Sequence, residues 1–288
     1  MNNVLVLGAS GLLGSELISG QYLKKYQIIS LSRSSKTDYN VDLENFNELV
    51  KTLEKVKPNV IINLVGLTNI DHCEKFPNEA YRINVQTVEN LTGAIQMLSE
   101  KPFLIHISTD QVYDGKGFFL EKNINLSNYY AFSKYIGELK ANQISSTILR
   151  TNFFGKGKSL KRSSLTDWLY TELKQNNHIS VFEDVWFNPL SISFLCKIIE
   201  LTIEKKIEGI FNLGSDNGMN KADFAFYFAK ALNLPTSNMK RVKVSDVKFL
   251  KAYRPKNMIM NLNKFKQKFN VKLPKLKEEI EFVAKDYK

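Results

Sequence analysis

Tyr130 and Lys134 lie four positions apart in a segment with helical periodicity, so their side chains share one face of a helix. An ammonium group beside a phenol lowers the pKa of the phenol, which makes tyrosine a usable proton donor near neutral pH. Thr109 lies 21 residues before Tyr130, where an apolar run opens into Ser-Thr-Asp-Gln-Val-Tyr-Asp-Gly. A Tyr-x-x-x-Lys pair is common by chance, but its order after this stretch and a glycine-rich turn makes the pattern specific.

A glycine-rich turn near the start of the chain has the composition of a dinucleotide-binding loop. It reads Gly-Ala-Ser-Gly-Leu-Leu-Gly over residues 8–14 and links the first apolar run to a helical segment. Such glycines permit a tight turn, let backbone N–H groups approach a pyrophosphate, and let the helix pack closely on the strand. The alternative is a turn that binds nothing, which its position after the first strand of a βαβ unit disfavours. The predicted cofactor-binding residues of this turn are Gly8, Ser10, Gly11, Leu12, Leu13 and Gly14.

The end of the second apolar run decides which dinucleotide fits. An acid there would hold the ribose 2′-hydroxyl of NAD, and residues 31–36 contain none. Arg33, helped by Ser34 or Lys36, can instead pair with the 2′-phosphate of NADP, so we predict NADPH as the cofactor and keep NADH as the alternative. Asp42 and Leu43 precede the next helix and are placed to meet the adenine. The competing interpretation of Asp42 is a plain N-cap of that helix.

Short apolar runs alternate with helical segments from residue 4 to about residue 150. The runs cover residues 4–7, 28–31, 60–64, 103–107 and 147–149, and the helical segments cover 12–25, 46–56, 80–98 and 130–142. Strands that are apolar on both faces belong to a parallel sheet covered by helices. Right-handed crossovers then give a doubly wound α/β, or Rossmann, sheet. We therefore predict a dinucleotide-binding domain over residues 1–150.

The alternation weakens after residue 150. We predict helices over residues 165–174, 192–203 and 222–232, and strands over 179–182 and 210–213. These elements indicate a smaller, mixed α/β substrate-binding lobe over residues 151–288, with segments interleaved with the first domain.

The composition is that of a globular chain without a disulfide framework. Of the 288 residues 43% are hydrophobic, and the only cysteines are Cys73 and Cys196, which suits a reducing cytoplasm. No apolar run approaches the roughly 18 residues needed to cross a bilayer, and the first residues do not resemble a signal peptide. We therefore expect a cytoplasmic protein with no membrane partner, and composition leaves a homodimer open.

The excess positive charge lies in residues 240–277, which hold thirteen Lys or Arg against one acid, while the net charge of the whole chain is +11. Such a segment can bind nucleic acid, an acidic protein or a small polyanion, or it can be a solvated surface. Interleaved apolar residues favour folded structure, and no nucleic-acid-binding motif accompanies the charges. We therefore expect no nucleic acid partner.

Taken together, these motifs resemble the extended short-chain dehydrogenase/reductases and, within them, the dTDP-4-dehydrorhamnose reductases. The resemblance runs through nearly the whole chain. It is carried by residues 8–14, 63–68, 71, 108–115, 130–138, 150–155, 188–189, 209–214 and 254–257.

The resemblance implies a role for each matching residue. Tyr130 would protonate the carbonyl oxygen, Lys134 would bind the nicotinamide ribose, and Thr109 would hydrogen-bond the substrate oxygen. Gly66, Leu67 and Thr68 would line the cofactor. The remaining substrate-binding residues would be Asp110, Gln111, Phe153 and, for the diphosphate, Arg254.

The implied activity is NADPH-dependent reduction of the 4-keto group of a nucleotide-diphosphate 4-keto-6-deoxysugar for surface polysaccharide biosynthesis. Related dehydratases carry Thr-Asp-Glu, whereas this chain has Gln111, whose amide cannot act as the base, so dehydration is disfavoured. Two alternatives remain: an epimerase or a reductase of a different sugar, and a cofactor-binding regulatory subunit without turnover.

Other candidate sites are interpreted as structural. The sequence Asp-His-Cys-Glu at residues 71–74 resembles a metal cluster, but neighbours in one helix or loop rarely converge on one ion, so we expect no metal. His72 and Cys73 are expected to pack, and His106, on an apolar run, is expected to be buried.

Overall fold

The computed structural model describes residues 2–19, 22–33, 36–159 and 163–288. The helices and strands of the first half are β1 (Asn3–Leu7), α1 (Leu12–Leu17), β2 (Gln27–Ser32), β3 (Tyr39–Asn40), α2 (Phe46–Val56), β4 (Val60–Asn63), α3 (Ile70–Lys75), α4 (Pro77–Tyr81), α5 (Thr87–Met97), β5 (Phe103–Thr109), α6 (Tyr129–Ala141) and β6 (Ser146–Thr151). Those of the second half are β7 (Phe153–Phe154), α7 (Leu165–Lys174), β8 (Ile179–Phe182), β9 (Trp186–Phe187), β10 (Leu190–Ser191), α8 (Ile192–Lys205), β11 (Gly209–Leu213), β12 (Met219–Asn220), α9 (Lys221–Ala231), β13 (Met239–Val242), α10 (Asn263–Phe269) and α11 (Leu276–Ala284).

The central sheet is parallel and doubly wound, as the sequence predicts. Its seven strands follow the order β11-β6-β5-β4-β1-β2-β3, so the chain moves outward from β1 in both directions. The sheet is of the Rossmann type, in which the point where strand order reverses is the usual ligand crevice. Because the strands are parallel, Gly8 after β1, the loop after β4 and Thr109 at the end of β5 all lie at one edge.

Alternate residues of β1 face two separate helical layers. Val4 and Val6 pack in one core cluster with residues of α1 and α8, and Leu5 and Leu7 pack in another with residues of α2 and α5. The strands are buried on both faces, which explains why their sequences are nearly continuous apolar runs.

The second half of the chain contributes to two cores. Its strand β11 pairs with β6 in the large sheet, and α8 packs against α1. The helix α10 also packs in the first core through Phe265 and Phe269. A separate cluster forms around α7, α9 and α11, with the short pairs β8–β13 and β9–β12 beside it.

Two predicted helices differ from the structure. Within its described residues, the segment 12–25 is helical only over α1, because the hydroxyl and the N–H of Ser19 both donate to the Glu16 carbonyl and close the last turn. The segment 80–98 is not one regular helix: a π-helical turn over Arg82–Gln86 joins α4 to α5. No helix within the described ranges is long and apolar enough to cross a membrane.

Candidate active site

Thr109, Tyr130 and Lys134 meet where β5 ends beside α6. The Thr109 hydroxyl lies near enough to the Tyr130 hydroxyl to lower its pKa, and Lys134 Nζ donates to the Ile107 carbonyl at 2.9 Å. All three side chains belong to buried residues, with at most 7% exposure. The sequence-predicted phenol, ammonium and hydroxyl therefore share one water-poor site.

Capping fixes where α6 begins and thus where Tyr130 lies. Asn128 is the N-cap: its Oδ1 accepts the Ala131 N–H at 2.8 Å, and its Nδ2 donates to the Tyr253 carbonyl at 3.1 Å. Side-chain caps of this type satisfy donors that the first helical turn leaves free. The cap also joins the start of the catalytic helix to the C-terminal part of the chain.

The pKa of Tyr130 moves in the direction opposite to our prediction. Burial raises it above its ordinary value, and the hydrogen bond from Thr109 lowers it only in part. The predicted lowering by Lys134 is therefore wrong, because the ammonium group donates to Ile107 and burial dominates. Burial also lowers the pKa of Lys134 to about 8, against the opposing effect of Glu138. A phenol with a raised pKa keeps its proton at neutral pH and remains a proton donor.

Asn84 is a positioning residue that the sequence reasoning missed. Its Oδ1 accepts the Leu67 N–H at 2.8 Å, and its Nδ2 donates to the Leu67 carbonyl and to Ser133 Oγ at 3.0 and 2.9 Å. It therefore ties the loop containing Gly66, Leu67 and Thr68 to α6. A β-carbon on Gly66 would lie 3.7 Å from Lys134 Nζ, so this loop reaches the catalytic ammonium.

The signal for Asn84 in the sequence is its amide side chain inside the predicted helical segment 80–98, because Asn is a poor helix former. The π-helical turn places Asn84 against α6. A β-carbon on Gly137 of α6 would lie 2.4 Å from the Asn84 carbonyl oxygen, so only glycine permits this approach.

The glycine-rich turn has the close packing that a dinucleotide loop requires. Gly8 has a φ of +78°, in the left-handed region. A β-carbon on Gly14 would lie 2.5 Å from the Gly8 carbonyl oxygen and 2.7 Å from Ala9 Cα. The turn therefore presents backbone atoms rather than side chains to a ligand. Ser159, from the second half of the chain, donates a hydrogen bond to the Ser10 carbonyl of this turn at 3.1 Å.

The end of β2 presents positive charge. Arg33 and Lys36 are exposed, while Ser34 lies outside the described residues. The nearby acid Asp38 is turned to the strand: its Oδ2 accepts the Ser30 hydroxyl and N–H at 2.6 and 2.8 Å, and these bonds lower its pKa.

The second interpretation of Asp42, an N-cap of α2, is wrong. The N-cap is Asn45, whose Oδ1 accepts the Glu48 N–H at 3.3 Å. Asp42 Oδ1 instead accepts the Glu44 N–H at 3.1 Å. Leu43 packs in the core with α2 and α5, so its side chain is occupied there and only its backbone could contact a ligand.

The substrate side begins at Asp110 and Gln111, directly after Thr109. Burial raises the pKa of Asp110 to about 6, although Asp110 Oδ2 accepts a hydrogen bond from Asn152 Nδ2 at 2.9 Å. Gln111 is buried, and its Oε1 has no partner among the described residues. Phe153 follows Asn152 in β7 and is half-buried.

Arg254 is already engaged by the first half of the chain. It donates to Asp71 Oδ2 at 2.6 Å and to the Ala252 carbonyl at 2.9 Å. Asp71 Oδ1 accepts the N–H groups of Lys251 and Ala252, both at 2.9 Å. Burial acts to raise the pKa of Asp71, but these hydrogen bonds, led by Arg254, lower it to about 2.

The rejected metal candidates have other partners. His72 Nε2 lies 2.6 Å from Glu79 Oε2, and Cys73 Sγ donates to the Leu67 carbonyl. No group of three His, Cys, Asp or Glu residues in the described part of the chain could hold a metal ion. His106 is fully buried, with Nδ1 3.2 Å from Asn63 Nδ2, and burial lowers its pKa well below the ordinary value.

Comparisons with known proteins cover the whole chain. The family described as the RmlD substrate binding domain matches residues 1–288. A dTDP-4-dehydrorhamnose reductase of Shigella flexneri is 28% identical, over 94% of this chain and 93% of that protein. The methionine adenosyltransferase 2 subunit beta of Pongo abelii is 27% identical, over 91% of this chain and 80% of that protein. The crystal structure of a dTDP-4-dehydrorhamnose reductase from Bacillus anthracis in complex with NADP has the same fold, with a TM-score of 0.90 at 24% identity over 99% of this chain and 100% of that one.

Proposed function

Because this chain belongs to the RmlD substrate binding domain family, we propose that it reduces the 4-keto group of a nucleotide-diphosphate 4-keto-6-deoxysugar with NADPH, in the biosynthesis of a surface polysaccharide sugar. The Shigella relative, named a dTDP-4-dehydrorhamnose reductase, supports this substrate class and aligns over nearly the full length of both chains. The observation that carries the proposal is that Thr109, Tyr130 and Lys134 are all buried where β5 ends beside α6, with the Thr109 hydroxyl near enough to Tyr130 to lower its pKa.

In this mechanism the chain's own residues bind the carbonyl and move one proton. Thr109 donates a hydrogen bond to the carbonyl oxygen, and Tyr130 transfers its phenolic proton to the same oxygen as the carbonyl carbon is reduced. Burial keeps Tyr130 protonated until that step, and it excludes water from the reacting atoms. Lys134, which lies beside the Gly66 loop, would bind the nicotinamide ribose of the cofactor.

The residues present fit NADPH. The glycine-rich turn fits the pyrophosphate, because side chains on Gly8 or Gly14 would fill its cradle. Arg33 is exposed where the 2′-phosphate is expected, and Lys36 is a second exposed cation nearby. When bound, NADPH supplies the hydride.

We assign the cofactor to residues 1–150, and the nucleotide half of the substrate to residues 151–288. Asp110, Gln111, Phe153 and Arg254 would line the substrate between these two parts. The positive charges of the segment 240–277 would then attract the negatively charged diphosphate of the substrate.

The decisive experiment supplies the purified protein with NADPH and 4-keto-6-deoxysugars carrying dTDP, UDP or GDP. We expect one NADPH to be consumed for each sugar reduced. A rearranged sugar without NADPH consumption would identify an epimerase instead.

The Pongo abelii relative favours one second candidate, a subunit that binds the cofactor without turnover. Intact Thr109, Tyr130 and Lys134 argue against it. Copurification with a partner enzyme at equal stoichiometry, and no turnover of any nucleotide sugar, would establish the subunit role.

We further propose that the protein works in the cytoplasm. Cys73 and Cys196 are both free and buried, and burial raises the pKa of the Cys73 thiol to about 11. A fluorescent fusion tests the location, and light scattering tests whether the chain forms the homodimer that its composition leaves open.

A further inference from the structure

Lys221 is a half-buried cation that forms an ion pair with no acid among the described residues. It is the first residue of α9, and its N–H donates to the Val185 carbonyl at 2.9 Å. Its Nζ lies 5.8 Å from the ring centroid of Phe187, which is 1% exposed. Within the part of the chain that the structure describes, this ammonium has no ion pair and no hydrogen bond.

Three separate segments surround this ammonium. Phe187 lies in β9, which pairs with β12 immediately before α9. The neighbouring Trp186 exchanges backbone hydrogen bonds with Lys256 and Met258, just beyond Arg254. The Lys221 charge lies within electrostatic range of both Asp110 and Arg254. It therefore belongs to the crevice that joins the catalytic end of β5 to the C-terminal segment.

The neighbouring charges leave Lys221 without an internal partner. The Asp110 carboxylate accepts its hydrogen bond from Asn152, and the Arg254 guanidinium is held by Asp71. Burial lowers the pKa of Lys221, while Asp110 opposes this effect. Lys221 is half-buried. Withdrawing part of an ammonium from water without a partner is unfavourable, so a bound anion would offset part of that cost.

We propose that Lys221 binds the sugar-proximal phosphate of the nucleotide sugar. This inference rests on the proposed function for the identity of the substrate. A single ammonium suits a phosphate as a point charge. Lys221 is bonded through its backbone to Val185, next to Trp186, which pairs with the C-terminal segment at Lys256, and its charge acts on Asp110, which follows Thr109. This position suits a ligand whose sugar lies at Thr109 and whose diphosphate reaches the C-terminal segment. Lys221 then sets affinity for the charged substrate without taking part in proton transfer.

The test compares Lys221→Met, which keeps length and loses charge, with Lys221→Arg and with the control Lys230→Met on the exposed part of α9. We expect Lys221→Met to raise the KM of the nucleotide sugar and the inhibition constant of the nucleoside diphosphate together, by roughly 10–100-fold. Its kcat and its Kd for NADPH should stay within a few-fold of wild type. Lys221→Arg should restore part of the affinity, and Lys230→Met should change neither constant.

Two readouts separate this inference from the proposed function. Calorimetric binding of the nucleoside diphosphate needs no turnover, so weakened binding to Lys221→Met would support the phosphate contact even if no sugar were reduced. Active reduction with unchanged KM and unchanged diphosphate binding in Lys221→Met would overturn the contact and leave the reductase assignment intact. A loss of kcat with unchanged KM would also overturn it, since Lys221 would then act on the chemical step.

Discussion

Tyr130 lies beside a second hydroxyl and carries its phenolic proton at neutral pH, as a proton donor must, and burial raises its pKa. Removing the phenolic oxygen leaves the ring in place, so Tyr130→Phe should lower kcat by roughly 10²–10⁴-fold. The Kd for NADPH, measured by fluorescence titration, should change little. Tyr129→Phe, one position away, is the matched control and should retain activity. Near-normal turnover of Tyr130→Phe would refute the assigned role.

Asp110 should make stability depend on pH in a defined window. Its folded pKa of about 6 exceeds the ordinary 3.8, so the native state holds this proton more tightly than the unfolded chain. The stabilising contribution is complete below about pH 4 and is lost as pH rises through 6, at a cost of roughly 3 kcal/mol. Asp110→Asn should flatten this part of the profile of unfolding free energy. The exposed Asp246→Asn should not, and identical profiles for Asp110→Asn and wild type would contradict the assignment.

At the scale of single residues, the sequence reveals groups whose type implies chemistry but not their environment. Tyr130 and Lys134 could be predicted from their spacing together with the glycine-rich turn and the Ser-Thr-Asp stretch, and the role of Thr109 from the family resemblance. The direction of the Tyr130 pKa could not, because it depends on burial by residues distant in sequence. Asn84 was missed for the same reason: its partners Leu67 and Ser133 are brought to it only by the tertiary fold.

At the scale of elements, α1 and the turn before it form one packed unit. Gly14 in α1 has no space for a side chain, because the atoms that would clash with a β-carbon are backbone atoms of Gly8 and Ala9. Gly14→Ala should therefore lower the free energy of unfolding by about 1–3 kcal/mol and weaken NADPH binding at least several-fold, as measured by urea unfolding and titration.

Gly93 provides the control for that substitution. It lies in α5, where a β-carbon would meet only the Phe46 ring at 3.4 Å, so Gly93→Ala should be tolerated. Equal effects of the two substitutions would show that the close approach at Gly14 has no special importance.

Elements with a strong apolar stripe were predicted well. The bounds of α2, α7 and β8 agree with the sequence prediction residue for residue. The prediction of the helix bounds failed in the segment 12–25, where the hydrogen bonds of Ser19 end the helix. It also failed in the segment 80–98, where a π-helical turn packs against Gly137. Periodicity shows which residues are apolar. It does not show where a side-chain hydroxyl bonds a backbone carbonyl and so ends the helical hydrogen-bond pattern.

At the scale of the whole molecule, the parallel sheet followed from the apolar runs, whereas the contacts between the two halves did not. The sequence indicates a basic segment at 240–277, but it does not show that residues 251–254 are tied to α3 by three hydrogen bonds to Asp71. Long-range pairings of this kind have no periodic signature. They nevertheless decide which cations remain available to a ligand.

Asp71 is therefore the residue through which the C-terminal segment is held against the first half. Its pKa of about 2 means that the pair with Arg254 is complete above about pH 4 and is lost only as pH falls toward 2. Asp71→Asn should lower the free energy of unfolding at neutral pH by about 1–3 kcal/mol and raise the KM of the nucleotide sugar, since Arg254 loses its orientation. The Kd for NADPH should change less than this KM, because Asp71 bonds to the C-terminal segment and not to the cofactor-lining residues 66–68. Glu204→Gln, which removes an exposed ion pair with Lys25, is the control and should change none of these constants. If Asp71→Asn left both stability and KM at wild-type values, the C-terminal segment would have to be positioned by contacts other than this carboxylate.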